Sequence, residues 1–412
     1  MKPVLTGLFV SCLFASSALA FQGDAGAFEN RLQKLEADNK RLNASLEAVT
    51  KQMETQQHAD VMPQVGDSMY GMGPAASKIY QKEQGLSIGG YGEAVYKDQA
   101  GPGNAQADFL RAILYFGYKF DENWVLNTEI EVEHADEVYV EFAYLEYLGF
   151  DALNVRAGML LMPMGHVNEM HEPTTFRGPS RPSTESRIIP TTWRENGVGV
   201  VGDAGEFSYK LYAVNGLDAY DGFSASGLRG GRQKGSKAKA EDIAVVGRLD
   251  YNAGNGLDLG ASLYHGGSGQ GAAMLPDVKT TIFDVHSQYK RGGLRLRGLY
   301  AQANLENTYA LSMANGEVIG KEQTGWYLEA GYDIASMIAP SCTHQVIPFV
   351  RYEDIDTHAS VAEGLTRDMA QGDSVVTLGV DWKPVPNIVF KTAFMDWDEG
   401  ADSLELSMGY VF

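Results

Sequence analysis

The sequence predicts an all-β protein: a 16-stranded antiparallel transmembrane β-barrel with a short N-terminal α-helical coiled coil. Three observations carry this. From Leu86 to Phe412, apolar and polar residues alternate with a period of two in 16 segments. The connections between these segments are alternately short and long. Before any strand begins, residues 28 to 53 repeat apolar side chains every seven positions.

The chain starts with MKPVLTGLFVSCLFASSALA. One lysine, an apolar run and Ala18-Leu19-Ala20 form a secretory leader over 1–20, cleaved before Phe21. Cys12 keeps a lipid-anchored leader as an alternative. After cleavage Cys342 is the one cysteine left, so no disulfide framework is expected. The 47 glycines and 21 tyrosines fit a turn-rich β architecture. Net charge is −20, and losing Lys2 makes it one unit more negative, which excludes nucleic acid as a partner.

Residues 21–57 are expected to form a periplasmic coiled coil. Phe28, Leu35, Leu42 and Val49 make one row, and Leu32, Asn39, Leu46 and Met53 the other, in an a/d heptad. Leu32, Leu35, Asn39, Leu42, Leu46 and Val49 are the oligomerisation residues. A lone amphipathic helix lying on a domain is the simpler alternative. Residues 58–85 are rich in Gly, Pro and polar side chains and read as a linker. The barrel occupies 86–412, and no period of 3.6 returns within it.

ADFLRAILYFGYKF shows the strand pattern best. Leu110, Ala112, Leu114, Phe116, Tyr118 and Phe120 share one face; Arg111, Tyr115 and Lys119 share the other. In WVLNTEIEVEH, Trp124, Leu126, Thr128, Ile130 and Val132 face outward. The connections DEN, DA, DAG, AGN, RG and KPVP are short; 98–106, 163–194, 215–240, 267–279, 304–322 and 355–372 are long. Short periplasmic turns and long outside loops are the asymmetry of outer-membrane barrels. The ending SLELSMGYVF places Leu404, Leu406, Met408, Tyr410 and Phe412 on one face. Tyr410 and Phe412 resemble the C-terminal assembly signal of Gram-negative outer-membrane barrels, which implies the barrel-assembly machinery as a partner during insertion.

A barrel of this size leaves an aqueous channel with a polar wall. Glu129, Glu131, Glu133 and Asp250 are expected to face the lumen, as are Arg111, Arg156, Arg248, Arg295, Arg297, Arg351 and Lys391. They either keep the interior hydrated or set a transverse field between acids of the third strand and bases of later ones. The third outside loop carries Glu169, Glu172, Arg177, Arg181, Glu185, Arg187, Arg194 and Glu195, with five prolines from Pro163 to Pro190. Stiff charged loops of this length are functional, so it folds into the barrel to narrow it, or else caps the outside. Arg177, Arg181, Arg187 and Arg194 are expected beside the constriction, facing Glu129, Glu131 and Glu133. The run LRGGRQKGSKAKA, 228–240, forms either a solvated, lipopolysaccharide-facing loop or an anion funnel.

Catalytic signals are weak. HVNEMHE lacks the HExxH spacing of a helical metal site, and GGSGQG lacks the Lys-Ser/Thr of a phosphate loop. There is no GxSxG. No enzyme activity, metal or cofactor is expected.

LNVRAGMLLMPMG, in strand five and the loop after it, resembles the phosphate-selective O/P-type porins of Gram-negative bacteria. The resemblance implies an outer-membrane location, a homotrimer and a third loop that constricts each pore. The coil before the barrel is similar to that of some sugar-specific trimeric porins. The acidic balance departs from the basic pores of anion-selective members. The chain thus reads as a porin passing small hydrophilic solutes or ions. A closed barrel that anchors to the cell wall (peptidoglycan) or binds a partner is the alternative.

Overall fold

The computed structural model describes residues 25–61, 65–150, 152–273, 275–338 and 343–412. The expected leader, with Cys12, and Cys342 lie outside the described residues, as do the side chains of Phe28 and Met53. The chain divides into two units, 1–58 and 59–412.

α1 (Ala25–Val61), most of which lies in the first unit, spans 25–57 of the expected coil. Its heptad leucines are uncovered: Leu42 is 70% exposed and Leu46 66%. Among the described residues no helix is long and apolar enough to cross a membrane.

The second unit is built from sixteen strands. The first five are β1 (Gly85–Gln99), β2 (Gln106–Lys119), β3 (Trp124–Glu133), β4 (Glu137–Phe150) and β5 (Leu153–Leu161). Next come β6 (Arg194–Ala204), β7 (Phe207–Asn215), β8 (Ile243–Asn252), β9 (Leu257–Gly267), β10 (Lys279–Arg291) and β11 (Leu294–Leu305). The last are β12 (Glu322–Tyr332), β13 (Gln345–Ser360), β14 (Gly372–Val385), β15 (Ile388–Trp397) and β16 (Ser403–Val411). Each pairs antiparallel with its sequence neighbours, and β1 pairs with β16, so the barrel closes without an edge.

Alternation sets which face each side chain takes. On β2, Leu114, Phe116 and Tyr118 are exposed on the outer wall while Arg111, Ile113 and Tyr115 are buried inside. On β16, Leu404, Leu406 and Met408 point out; Ser403, Glu405 and Ser407 point in. A register slip of one residue would invert every such pair, which is why the apolar period fixes the pairing. Outward aromatics cluster at the short-turn end: Tyr118 with Phe120, Trp124 with Tyr147, Phe207 with Tyr251 and Trp382 with Phe390. Such a girdle suits the interface between hydrocarbon and headgroups.

Three sequence expectations are corrected. β13 continues six residues past 354, to Ser360. Helical turns do return beyond Leu86, at α2 (Ser183–Arg187) and at Thr308–Asn315; both are too short for a 3.6-residue period to stand out. The stretch read as a linker is not an open connection over its described part. From Val65 to Gln84 it packs within the barrel unit, making a 3₁₀ turn at Ala76–Gln81 whose Ile79 and Tyr80 are buried with Val125.

Candidate functional site: the lumen and its two inward segments

The long connection between β5 and β6, 162–193, which is the third on its side of the barrel, lies inside the barrel. Met162, Met164, Ile188, Ile189 and Trp193 pack with the lumen's apolar residues. A loop withdrawn from water must have its backbone N–H and C=O groups partnered, and the wall supplies the partners. Cations take the carbonyls: Lys383 Nζ donates to Thr174 O (2.7 Å), Arg297 to Thr175 O (3.2 Å) and Lys391 Nζ to Gly178 O (2.9 Å). Arg351 donates to Arg177 O and Ser180 O, and Arg248 to Gly165 O. Carboxylates take the amides. Asp284 accepts from Gly165 N (3.1 Å), Asp381 from Gly178 N (3.2 Å) and Glu353 from Thr184 N (3.2 Å). The wall from β8 to β15 is thus a template for this loop.

The loop's own charges divide by role. Glu185 accepts from His166 N (2.8 Å), Val167 N (2.7 Å) and the Tyr327 hydroxyl (2.6 Å), so it staples the loop's entry to α2 and β12. Glu195 accepts from Trp193 Nε1 (3.2 Å), Asn215 (2.6 Å) and Gln233 N (2.9 Å). Glu169 pairs with Lys210 at 2.6 Å, Arg177 with Asp381 at 3.1 Å and Arg194 with Glu141 at 2.6 Å. Arg181 and Arg187 have no ion pair among the described residues; the Arg187 guanidinium lies over the Trp397 ring at 5.6 Å.

The expected facing of four arginines against three acids is therefore redistributed. Glu129 meets His171 and the Tyr91 hydroxyl, each at 3.3 Å, and Glu131 lies 3.8 Å from Arg111, which also reaches Glu93 at 3.8 Å. Glu133 is half-buried. Arg194 does stand near this acidic group, through Glu141 of β4. Arg177 is held away on β14. Elsewhere on the wall Arg156 pairs with Glu146 (2.9 Å), Arg351 with Glu353 (2.9 Å) and Arg248 with Asp250 (2.6 Å). Arg295 donates to the carbonyls of Gly292 and Leu294. The donors of HVNEMHE turn to separate partners, His166 against His286 and the Gly298 carbonyl, His171 against Glu129.

Two groups of cations stay under-compensated. On the long-loop side, Arg229 and Arg232 both donate to the Thr191 carbonyl, so the run at 228–240 folds over the third loop. Burial and then the neighbouring Arg111 push Arg181 down to about 10. Burial followed by Arg229 and Arg194 pushes Arg232 down to about 9. Both stay charged at neutral pH. On the short-turn side, Lys290 of β10 sits directly opposite Arg295 of β11. Like charges in register destabilise a sheet; Arg297 and Arg177 add to the same field, and Asp258 opposes only part of it. A cavity of about 560 Å³ is bounded by Ser68–Gly71, by Gly165, His166, Glu169 and Met170 of the loop, and by the wall at Lys210, Arg248 and Arg297.

Glu172 joins the two inward segments: its Oε1 accepts from Ala75 N (2.9 Å) and Ala76 N (3.2 Å). Burial pushes its carboxyl up to about 7, against these two amides. A value raised on folding stabilises most at low pH, and that contribution fades as pH rises through about 7. Glu172→Gln carries no such dependence. Its stability relative to the parent is expected to rise by on the order of 2–3 kcal/mol between acid and alkaline pH. Urea unfolding followed by tryptophan fluorescence at both pH extremes checks this; a constant difference would assign the raised value no energetic weight.

Sequence reasoning missed Asp284, Tyr327, Glu353, Asp381, Lys383 and Glu405, all of which contact the loop or its partners. Inward parity on their strands was the available signal.

A closed 16-stranded antiparallel barrel with an inward third loop has the architecture of outer-membrane porins. Three solved structures share the fold. OmpF of Salmonella typhi, in complex with daunomycin, matches with a TM-score of 0.55 at 13% identity, over 81% of this chain and 99% of that one. A loop L8 deletion mutant of OmpT, an outer membrane protein of Vibrio cholerae, matches at 0.54 and 14%, over 80% and 100%. An anion-selective porin from Comamonas acidovorans matches at 0.51 and 12%, over 80% and 100%. No protein-family model matches the sequence. The chain is 38% identical over 361 residues to an uncharacterized protein of Aquifex aeolicus (strain VF5), covering 82% of this chain and 81% of that protein, and it belongs to the same family.

Proposed function

We propose that this protein is an outer-membrane porin of a Gram-negative bacterium, passing small hydrophilic solutes or ions by diffusion between its third loop and the barrel wall. The observation that carries the reading is a polar, charged cavity beside a loop whose buried backbone groups are partnered by lumen side chains. The fold shared with porins supports it. The barrel would contact outer-membrane lipid and lipopolysaccharide. Cations at both mouths favour anions over cations despite the acidic chain, because charge beyond ~8 Å is largely screened at physiological salt. The resemblance to phosphate-selective porins stays a proposal about ancestry and names no solute.

Planar-bilayer recording tests the reading: repeated openings of equal size are expected, and silence from folded protein would sink it. The rival, a closed barrel that binds a partner or the cell wall, draws on one observation. Loop side chains such as Met162, Met164, Val167 and Trp193 are fully shielded from water, so the lumen centre is densely filled.

The exposed leucine stripe of α1 supports a homotrimer joined by a periplasmic coil, and the OmpT of Vibrio cholerae has been solved in a trimer form. Deleting residues 21–57 is expected to weaken or slow trimer formation while each barrel still folds, read by heat-modifiable electrophoretic mobility. A truncated protein with an unchanged trimer would give the coil another task, with attachment to peptidoglycan the next candidate.

A further inference from the structure

Residues 65–84 sit within the barrel at its short-turn end, and diffusion past the third loop does not require them there. The wall is shaped to receive them. A Cβ on Gly117 of β2 would lie 2.8 Å from the Ile79 Cβ, and one on Gly89 of β1 would lie 3.2 Å from the Ala75 carbonyl oxygen. Both glycines face the lumen, where the bare backbone admits the 3₁₀ turn. Asn127 of β3 donates to Ala76 O at 3.1 Å. The Tyr80 hydroxyl donates to Glu146 of β4, accepts from Arg156 of β5 at 3.2 Å and lies 3.0 Å from the Tyr144 hydroxyl. Glu172 of the third loop takes the Ala75 and Ala76 amides. Gly73 leaves it room, since a Cβ there would lie 2.4 Å from Oε1. The segment covers the lumen face of β1 to β5, and Ser68–Gly71 forms one side of the remaining cavity, facing β6 to β11.

We propose that residues 65–84 are a second constriction: a strap that sets the size limit at the short-turn mouth and, through Glu172 as a positioning residue, holds the third loop in register. The inference rests on the porin reading. The strap acts by excluded area, so removing it widens the passage without touching the loop's anchors on β8 to β15. Glu172 acts by accepting two amides with one oxygen. Glutamine keeps that oxygen and alanine does not.

The test uses the full chain in planar bilayers, with single-channel conductance and exclusion of graded polyethylene glycols added from either side. An internal deletion of 66–82, and separately Ile79→Glu, which puts a charge against Gly117 and Val125, are expected to raise conductance about twofold and admit larger polymers. Glu172→Ala is expected to move toward the deletion and Glu172→Gln to stay with the parent. If the deletion does not fold, Ile79→Glu and Glu172→Ala decide. Folded strap variants with the parent's conductance and polymer limit would overturn the strap. Equal behaviour of Glu172→Ala and Glu172→Gln would overturn the positioning role. A silent parent with conducting strap variants would keep the strap but end the diffusion reading, whereas silence in all of them would end both.

Discussion

Neutralising Arg181 and Arg187 together, as Arg181→Gln with Arg187→Gln, is expected to shift the reversal potential in a salt gradient toward cations, changing the permeability ratio by about threefold. These are the two guanidinium groups of the third loop that no carboxylate pairs among the described residues. Arg177 is already paired with Asp381 and Arg194 with Glu141. Arg181 lies in the field of Arg111 and Arg229, and Arg187 rests on the Trp397 ring. A cation without a carboxylate partner projects its charge into the passage, whereas a paired one presents a dipole that decays over a few ångströms. Neutralising Glu129 and Glu131 is expected to move selectivity the other way and by less, because His171 and Arg111 already oppose them. Equal reversal potentials in all variants would place selectivity outside the third loop.

How far the sequence carried this reading depends on which interactions are local. Strand order, facing and the closing β1–β16 pair follow from period-two alternation and from turn lengths, both of which are properties of neighbouring residues. The prolines and charges of the third loop left two readings open, inward or capping the outside, and its contacts with the wall decide for the first. Which wall residue meets which loop atom was not legible, since Arg177 and Asp381 are 204 positions apart and only barrel closure brings them together. Glu185 and Glu195 illustrate the cost. Their sequence neighbourhood suggests pore charges, yet both are consumed in holding local backbone and side chains. The strap was read as a linker for a similar reason. Its apolar residues Met72, Ile79 and Tyr80 follow no period, and Gly117, which makes room for Ile79, and Gly89, which makes room for the Ala75 carbonyl, are glycines whose meaning appears only beside the strap.

Removing the charge of Asp381 is expected to free the middle of the third loop while the barrel stays closed. The carboxylate is fully buried, accepts from Arg177 and from Gly178 N, and lies opposite Lys391 across the β14–β15 pair. Lys383, two residues along the same strand, is also within its field. Arg177 and Lys383 thus lean on this buried acid, and Lys391 shares it with Glu93. Breaking a buried ion pair by removing one partner costs about 3–5 kcal/mol, because the charge left behind is uncompensated. In Asp381→Asn the amide oxygen still suits Gly178 N, so the loss is electrostatic rather than a missing acceptor. The ladders of β13, β14 and β15 run through backbone atoms that the substitution leaves intact. The strain should therefore fall on the loop between Thr174 and Ser180, whose carbonyls are held by Lys383, Arg351 and Lys391. Single-channel records are expected to show rapid flicker between the parent level and a larger one, with heat-modifiable mobility of the barrel preserved. Glu353→Gln, which disturbs Arg351 and the Thr184 amide, supplies a comparison at the other end of the segment. A quiet trace at the parent conductance in both variants would show that apolar packing of Met162, Ile188 and Trp193, rather than the charged wall, keeps the loop in place.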